Sequence, residues 1–174
     1  EFCMLLHAYL SNHIKQAKAA ILYPPHGLDT LLIGSTGVGK SHFAKSMFDF
    51  AKRSGRISPA APFITYNCAS YAENPQLVMS QLFGYSKGAF TGADSDKPGL
   101  VELADKSILF LDEIHRLNPE GQEKLFFLMD QGIFRRLGET TKDRHADVLL
   151  ICATTENPQN ALLSTFLRRI PVHI

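Results

Sequence analysis

The segment from Gly34 to Ser41 has the residue types and spacing of a loop that binds phosphate groups. Its sequence, Gly-Ser-Thr-Gly-Val-Gly-Lys-Ser, matches the pattern G-x-x-x-x-G-K-[ST]. Glycines let successive backbone N–H groups turn toward phosphate oxygens, and the N-terminus of the following helix adds partial positive charge. We expect Lys40 to contact the β- and γ-phosphates of ATP and the Ser41 hydroxyl to bind Mg²⁺. The alternative is an incidental glycine-rich turn.

Two adjacent acids, Asp112 and Glu113, directly follow the apolar run Ile108–Leu111. Burying two carboxylates at the end of a strand is costly unless a cation or hydrogen-bond donors meet them. We expect Asp112 to hold Mg²⁺ and Glu113 to orient or deprotonate an attacking water molecule. The alternative is the solvated start of a loop. The predicted Mg²⁺ ligands are therefore Ser41 and Asp112, and the predicted nucleotide-binding residues are Gly34, Ser35, Thr36, Gly37, Val38, Gly39, Lys40, Ser41 and Asp112.

Asn67 ends another predicted strand, over residues 63–66, and its amide could hydrogen-bond Glu113 and relay to it. Read alone, it is a polar residue at the end of a strand. His42 and His115 flank the two motifs. Phosphoryl transfer to water requires positioning and charge neutralisation rather than a histidine nucleophile, so we assign both histidines structural or surface roles.

The elements that would position these residues alternate between apolar strands and helices. An apolar helical face at Leu6, Leu10, Ile14, Ala17 and Ile21 ends before a Pro-Pro pair. Strands that are apolar on both faces and alternate with helices favour a parallel sheet covered on both sides, which is a three-layer α/β domain. The remaining predicted strands cover residues 30–33, 108–111 and 148–153, and a further strand begins at 171–174. Residues 133–137 are predicted to form one arm of a hairpin. The other predicted helices cover residues 43–53, 119–130 and 162–169.

Composition is ordinary for one globular domain of 174 residues, with 45% hydrophobic residues and a net charge of +1. This balance gives no reason to expect nucleic-acid or membrane binding through bulk charge. Cys3, Cys68 and Cys152 lack metal-type spacing and indicate reduced, buried thiols in a cytosolic protein. The apolar runs are far shorter than the ~20 residues of a membrane span. Both termini suggest a fragment of a longer protein.

Residues 88–93 have the sequence Gly-Ala-Phe-Thr-Gly-Ala. This hexapeptide resembles the signature loop of sigma-54-dependent transcriptional activators, a branch of the AAA+ ATPases. The resemblance implies a loop on a helical insertion between the second and third strands, which contacts sigma-54 of RNA polymerase when ATP is bound. We expect Phe90 to offer an exposed aromatic contact and Thr91 a polar one. The implied partner-binding residues are Gly88, Ala89, Phe90, Thr91, Gly92 and Ala93.

The resemblance covers nearly the whole chain, and residues 126–138, 153–158 and 166–171 are similar to the LevR/ManR-type activators that respond to the sugar phosphotransferase system. It places Thr155 as the γ-phosphate sensor, where the family usually has asparagine. It also makes Arg169, with its neighbour Arg168, the arginine that enters the adjacent subunit's site. The implied fold is an AAA+ P-loop NTPase core spanning 1–174, with a five-stranded parallel sheet, the helical loop insertion and no C-terminal helical lid.

The resemblance thus predicts an Mg-dependent ATPase that remodels the closed complex of sigma-54 RNA polymerase through the loop at residues 88–93. It implies self-association into a ring, a hexamer in the full protein, with DNA contacted only through other domains, no membrane contact and a cytoplasmic location. Two alternatives remain open. One is an AAA+ remodeller of another target, such as a chelatase or helicase loader, and the other is a nucleotide-gated binding module with little turnover.

Overall fold

The computed structural model describes the backbone of residues 2–174 and the side chains of residues 10–174. The expectations for the Leu6 side chain and the Cys3 thiol therefore lie outside the described residues. Cys68 and Cys152 are buried free thiols, as predicted. Burial is the main cause that raises the pKa of Cys68 to about 12, so this thiol stays protonated.

Nine strands and seven helices follow one another along the described chain. The strands are β1 (Thr30–Ile33), β2 (Phe63–Asn67), β3 (Gly84–Tyr85), β4 (Lys97–Pro98), β5 (Ser107–Asp112), β6 (Ile133–Phe134), β7 (Arg144–His145), β8 (Val148–Thr154) and β9 (Val172–His173). The helices are α1 (Phe2–Leu22), α2 (Lys40–Arg53), α3 (Pro75–Phe83), α4 (Leu100–Leu103), α5 (Pro119–Gln131), α6 (Pro158–Ala161) and α7 (Ser164–Leu167). A single 3₁₀ turn, Ile114–Arg116, follows β5.

Five strands form one central sheet in the order β2-β5-β8-β1-β9, and every pairing in it is parallel. The predicted five-stranded parallel sheet is confirmed. Side chains of β5 alternate between its two faces, with Ile108 and Phe110 on one and Leu109 and Leu111 on the other. Each set joins a separate buried cluster, because residues i and i+2 of a strand share a face.

Helices cover both faces of the sheet, which confirms the three-layer architecture. On one face α1 and α2 contribute Ile21, Met47 and Phe48 to the core. On the other face α3, α5 and α7 contribute residues such as Phe83 and Leu125. Within the described part of the chain, no helix is both long and apolar enough to cross a membrane. The carboxyl ends of β2, β5 and β8, at Asn67, Asp112 and Thr154, lie at the same edge of the sheet.

A small helical insertion separates β2 from β5, as expected. It comprises α3, β3, β4 and α4, and the hexapeptide 88–93 lies between its two short antiparallel strands. Gly84 and Gly99 bring the two ends of this insertion together: a Cβ on Gly99 would lie 2.3 Å from the Gly84 backbone nitrogen. Only glycine permits this approach, so the base of the insertion is narrow and fixed.

The prediction of one helix over residues 162–169 was wrong. Two short helices, α6 and α7, flank an extended pair, Leu162 and Leu163. The Leu163 N–H donates to the side-chain oxygen of the buried Gln122, at 2.9 Å. This tertiary hydrogen bond takes the N–H away from a helical partner, so the helix begins only at Ser164. The predicted hairpin arm at 133–137 is present as β6, paired with β7.

Candidate nucleotide-binding site

The loop from Gly34 to Ser41 connects β1 to α2 and is mostly exposed. Gly37 and Gly39 have φ angles of 82° and 97°, in the left-handed region that favours glycine. The Lys40 ammonium donates to the carbonyl oxygens of Gly34 and Ser35, at 2.8 and 3.0 Å. The amino-terminal N–H groups of α2 have no side-chain cap, since Gly39 precedes it. These donors are therefore available to an anion.

Ser41 and Asp112 line one cavity of about 240 Å³ at the carboxyl edge of the sheet. Asn67 also lines it, because β2 pairs with β5 in a register that places Asn67 opposite Asp112. One Asp112 oxygen accepts the Glu113 N–H at 2.9 Å. A hydroxyl and a carboxylate suit Mg²⁺, which takes one or two protein oxygens and completes its shell with water and phosphate. The two predicted ligands thus fit the ion.

Glu113 lies at the start of the 3₁₀ turn with a φ of 51°, an uncommon value outside glycine. Its Oε2 accepts a hydrogen bond from the Thr155 hydroxyl at 3.0 Å. The Nε2 of His115 lies 3.4 Å from the same oxygen. Thr155 is the first residue after β8, so this hydrogen bond links the carboxyl ends of two neighbouring strands, β5 and β8. In this structure the Thr155 hydroxyl contacts Glu113 rather than pointing freely into the phosphate loop.

Asn67 does not contact Glu113 within the described part of the chain. Its side-chain oxygen accepts the N–H of Ala69 at 2.8 Å, closing a turn after β2. This turn uses only the side-chain oxygen of Asn67, so the predicted relay from its N–H₂ group to Glu113 stays a prediction. His115, for which we predicted a structural or surface role from the sequence, lies beside Glu113. The sequence signal that could have indicated this contact is the position of His115, two residues after Glu113.

Arg168 and Arg169 follow α7 and differ in their surroundings. The Arg169 guanidinium pairs with Asp130 at 2.7 Å and lies over the Phe126 ring, 5.1 Å from its centroid. Arg168 is exposed, and within the described residues its side chain forms a single hydrogen bond, to the Ser164 carbonyl oxygen at 3.3 Å. Arg169 is therefore held by its own chain, whereas Arg168 extends into solvent.

The hexapeptide loop is a compact turn. Gly88 donates to the Ala93 carbonyl oxygen at 2.8 Å, and the Ala93 N–H donates to that of Phe90 at 3.0 Å. The Phe90 ring is half-buried and packs edge-on against Tyr85, with centroids 5.0 Å apart. The expectation of an exposed Phe90 was thus wrong for this conformation. Thr91 and Gly92 are exposed at the tip.

Ion pairs join the insertion to the segment after α5, and no sequence pattern indicated them. Arg136 forms a bidentate pair with Glu102, at 2.7 and 2.8 Å. Arg144 pairs with Glu139 at 2.7 Å, and the Ser86 hydroxyl donates to the same carboxylate at 3.1 Å. The hydrogen bonds from Arg144 are the main cause that lowers the pKa of Glu139 to about 2.

The phosphate loop after β1, the acidic pair after β5 and the sheet order together define a nucleotide-binding protein of the AAA+ P-loop class. Solved structures share the fold. NtrX from Brucella abortus in complex with ADP superimposes with a TM-score of 0.73 at 24% identity, covering 94% of this chain and 35% of that chain. A mutant of RuvB from Thermotoga maritima gives a TM-score of 0.55 at 18% identity, covering 91% of this chain and 41% of that chain.

The chain belongs to the family described as the Sigma-54 interaction domain, whose model matches residues 6–170. It is 61% identical over 165 residues to the transcriptional regulatory protein LevR of Bacillus subtilis strain 168. It is 53% identical over 167 residues to the transcriptional regulatory protein DagR of Salmonella typhimurium. Both matches cover 95% of this chain and 18% of the relative, so the chain spans about a fifth of these regulators. The predicted sigma-54 activator domain of LevR type is confirmed.

Proposed function

We propose that this domain hydrolyses ATP and uses the energy to remodel the closed complex of sigma-54 RNA polymerase through residues 88–93. The observation that carries the proposal is the shared cavity of Ser41 and Asp112, with Glu113 the next residue along the chain. A phosphate-binding loop, a metal-binding pair and an adjacent carboxylate are the parts that phosphoryl transfer to water requires.

The chain's own residues would divide the chemistry among them. Backbone N–H groups of the phosphate loop would bind the phosphate oxygens, and Lys40 would leave its carbonyl partners for the β- and γ-phosphates. Mg²⁺ bound by Ser41 and Asp112 would neutralise charge on the phosphates. The Oε1 of Glu113 would accept the proton of the attacking water, since Oε2 is already hydrogen-bonded by Thr155.

An arginine from a neighbouring subunit would complete the site in a ring, which we propose to be a hexamer in the whole protein. Either Arg168 or Arg169 supplies it. Arg169 would have to leave Asp130 and Phe126, while Arg168 would give up only a carbonyl contact. The geometry favours Arg168, with Arg169 fixing the end of α7 against α5. Thr155 would act as the sensor only after its hydroxyl leaves Glu113, while Asn67 would act as the relay through its side-chain N–H₂ group.

The tip of the insertion would contact sigma-54. Thr91 and Gly92 are already exposed, and Phe90 would become available once it separates from Tyr85. We propose that nucleotide binding drives this separation. We further place the protein in the cytoplasm, where RNA polymerase works, with DNA contacted through other domains and with control by the sugar phosphotransferase system.

The proposal predicts that Phe90→Ala abolishes sigma-54 binding without removing ATP hydrolysis. Binding is measured by fluorescence anisotropy with ATP in a Glu113→Gln background, which keeps the nucleotide intact. We expect affinity to fall at least about tenfold, since one buried aromatic contact is worth 2 kcal/mol or more, while phosphate release by Phe90→Ala alone stays within about twofold.

Phe127→Ala is the matched control, because Phe127 is a half-exposed phenylalanine on α5, outside the insertion. It should retain both activities. Intact sigma-54 binding by Phe90→Ala, with hydrolysis lost instead, would count against the proposal.

A further inference from the structure

The imidazole of His115 lies between the carboxylate of Glu113 and the end of β8. Its Nδ1 is 3.0 Å from the Thr154 hydroxyl oxygen, and its Nε2 is 3.4 Å from Glu113 Oε2. The side chain is only 11% exposed, so solvent does not compete strongly for either nitrogen. His115 therefore joins the candidate base to the same strand end that supplies Thr155.

The contacts of the Thr154 hydroxyl favour one tautomer of the imidazole. The fully buried Thr154 hydroxyl oxygen accepts the N–H of Glu156 at 3.1 Å. Its own proton has two recorded acceptors, the Glu156 carbonyl oxygen at a long 3.5 Å and His115 Nδ1 at 3.0 Å. The shorter contact favours donation to Nδ1, which leaves the imidazole proton on Nε2, facing Glu113.

We propose that His115 is a positioning residue for Glu113, acting with Thr155 in the place expected for Asn67. Two donors then converge on Oε2 and fix the carboxylate, leaving Oε1 for the attacking water. At 3.4 Å this contact is longer than an ordinary hydrogen bond, and the proposal requires it to shorten when the site is assembled. The inference rests on the proposed function, because it assigns a role to the neighbour of the base named there.

The local backbone explains why His115 reaches this place. Glu113 has its left-handed φ of 51°, and the 3₁₀ turn Ile114–Arg116 brings the side chain two residues later back beside it. Ile114, between them, is fully buried and holds the turn against the core. The side-chain oxygen of Asn67 accepts the Ala69 N–H, and within the described residues its N–H₂ group forms no hydrogen bond to Oε2.

Two amide substitutions separate the two nitrogens of His115. Glutamine can place its amide N–H near the position of Nε2, and asparagine can place its amide near that of Nδ1. We expect His115→Gln to keep kcat for ATP hydrolysis within about threefold. His115→Asn should lower kcat by about tenfold to a hundredfold, as loss of base alignment does, with KM unchanged within about twofold.

A purely structural role predicts a different pattern, in which the loss of rate follows the loss of thermal stability in both variants. Equal kcat for the two variants, or a change confined to KM, would overturn the proposal. In a Glu113→Gln background, His115→Asn should cause no further loss in single-turnover hydrolysis. A further loss there would also overturn it.

A measurement without nucleotide keeps this inference separate from the proposed function. The ¹⁵N chemical shifts of the imidazole in the nucleotide-free chain report which nitrogen carries the proton. We expect the Nε2–H form for His115, converting to mixed tautomers in Thr154→Val. An Nδ1–H form in the unsubstituted chain would refute the positioning role. Absence of Glu113-dependent hydrolysis in the unsubstituted chain would instead refute the proposed function. The tautomer measurement would still show whether the imidazole proton faces Glu113.

Discussion

Lys40 shows at the residue scale how the site is prepared for an anion. Its ammonium donates to the carbonyl oxygens of Gly34 and Ser35. Carbonyls are neutral acceptors, whereas a phosphate oxygen adds attraction between opposite charges to the hydrogen bond from the ammonium. Exchange of partners is therefore favourable when a triphosphate arrives. The lysine needs no large rearrangement, since both carbonyls belong to the loop itself.

Lys40→Ala should therefore weaken ATP binding by at least about tenfold, consistent with the loss of one charge-assisted contact of 1.5–3 kcal/mol. Lys45→Ala is the matched control, because Lys45 lies on the same helix but pairs with Asp49 in an exposed i,i+4 arrangement. Titration with a fluorescent ATP analogue measures both affinities. Equal affinities for the two variants would contradict the assignment of the loop.

Sequence patterns located the phosphate loop, Asp112 and Glu113 because each motif is contiguous and its chemistry depends on residue type. They did not determine which partner Asn67 or Thr155 would choose. Both residues end strands at the correct edge of the sheet, yet the Asn67 amide closes a local turn and the Thr155 hydroxyl reaches Glu113. Such choices depend on distances of a fraction of an ångström between different strands, which local sequence does not specify.

At the scale of elements, the insertion is fastened to the segment between β6 and β7. Beyond the ion pairs, the Ser86 N–H donates to the Leu137 carbonyl oxygen at 3.0 Å, and the Leu137 N–H donates to Gly84 at 3.0 Å. Within that segment Arg144 pairs with Glu139, at 19% and 9% side-chain exposure, and Glu139 also accepts the hydroxyl of Ser86 from the insertion. Removing one partner would leave a poorly solvated charge unpaired.

Arg144→Gln should lower the free energy of unfolding by about 1–3 kcal/mol at pH 7, the cost of leaving a largely buried charged group without its main partner. Arg135→Gln, which breaks the exposed pair with Asp143, should cost less than about 1 kcal/mol. Urea unfolding monitored by circular dichroism measures both. Similar losses in the two variants would contradict the structural account of the Arg144–Glu139 pair.

The pH dependence of this pair follows from its depressed pKa. Because the folded pKa of Glu139 is about 2 and its ordinary value is 4.5, the pair stabilises the fold above pH 4.5 and loses this effect as the pH falls toward 2. The difference between Arg144→Gln and the unsubstituted chain should shrink over that range. A difference that stays constant from pH 7 to pH 3 would show that charge is not its cause.

Element boundaries were largely predictable because periodicity and capping residues are local. The predicted and observed β1 coincide, and α5 begins after its Asn118 cap. The break between α6 and α7 was not predictable, since it depends on the hydrogen bond from Leu163 to Gln122, 41 residues earlier. The hydrogen bond from Arg136 to Glu102 likewise joins residues that are 34 positions apart in the sequence.

For the whole molecule, the position of Arg168 bears on assembly. It is exposed at the end of α7, whereas Glu113 is set back among β5, β8 and the 3₁₀ turn. The proposal that an arginine of a neighbouring copy completes the site implies that one chain alone would hydrolyse ATP poorly. Specific activity should then depend on subunit association.

Mixing two variants tests whether the arginine and the Glu113 carboxylate of one site come from different copies of the chain. Arg168→Ala and Glu113→Gln chains should each hydrolyse ATP at least about tenfold more slowly than the unsubstituted chain, as losses of transition-state contacts do. Mixed together, they should regain activity, because some sites then combine an intact Glu113 with an intact Arg168. Arg169→Ala in place of Arg168→Ala is the comparison. If the mixture of Arg169→Ala with Glu113→Gln regains activity and the mixture with Arg168→Ala does not, Arg169 is the arginine that completes the neighbouring site.

The most direct test of the account is release of inorganic phosphate from Mg-ATP, compared between the unsubstituted protein and Glu113→Gln. The longest natural chain that carries this domain should be used, at concentrations high enough for association. We expect turnover that Glu113→Gln reduces by at least about a hundredfold while ATP affinity is kept, since the carboxylate acts on water and not on nucleotide. Nucleotide binding with no Glu113-dependent phosphate release would contradict the account and favour a nucleotide-gated binding module.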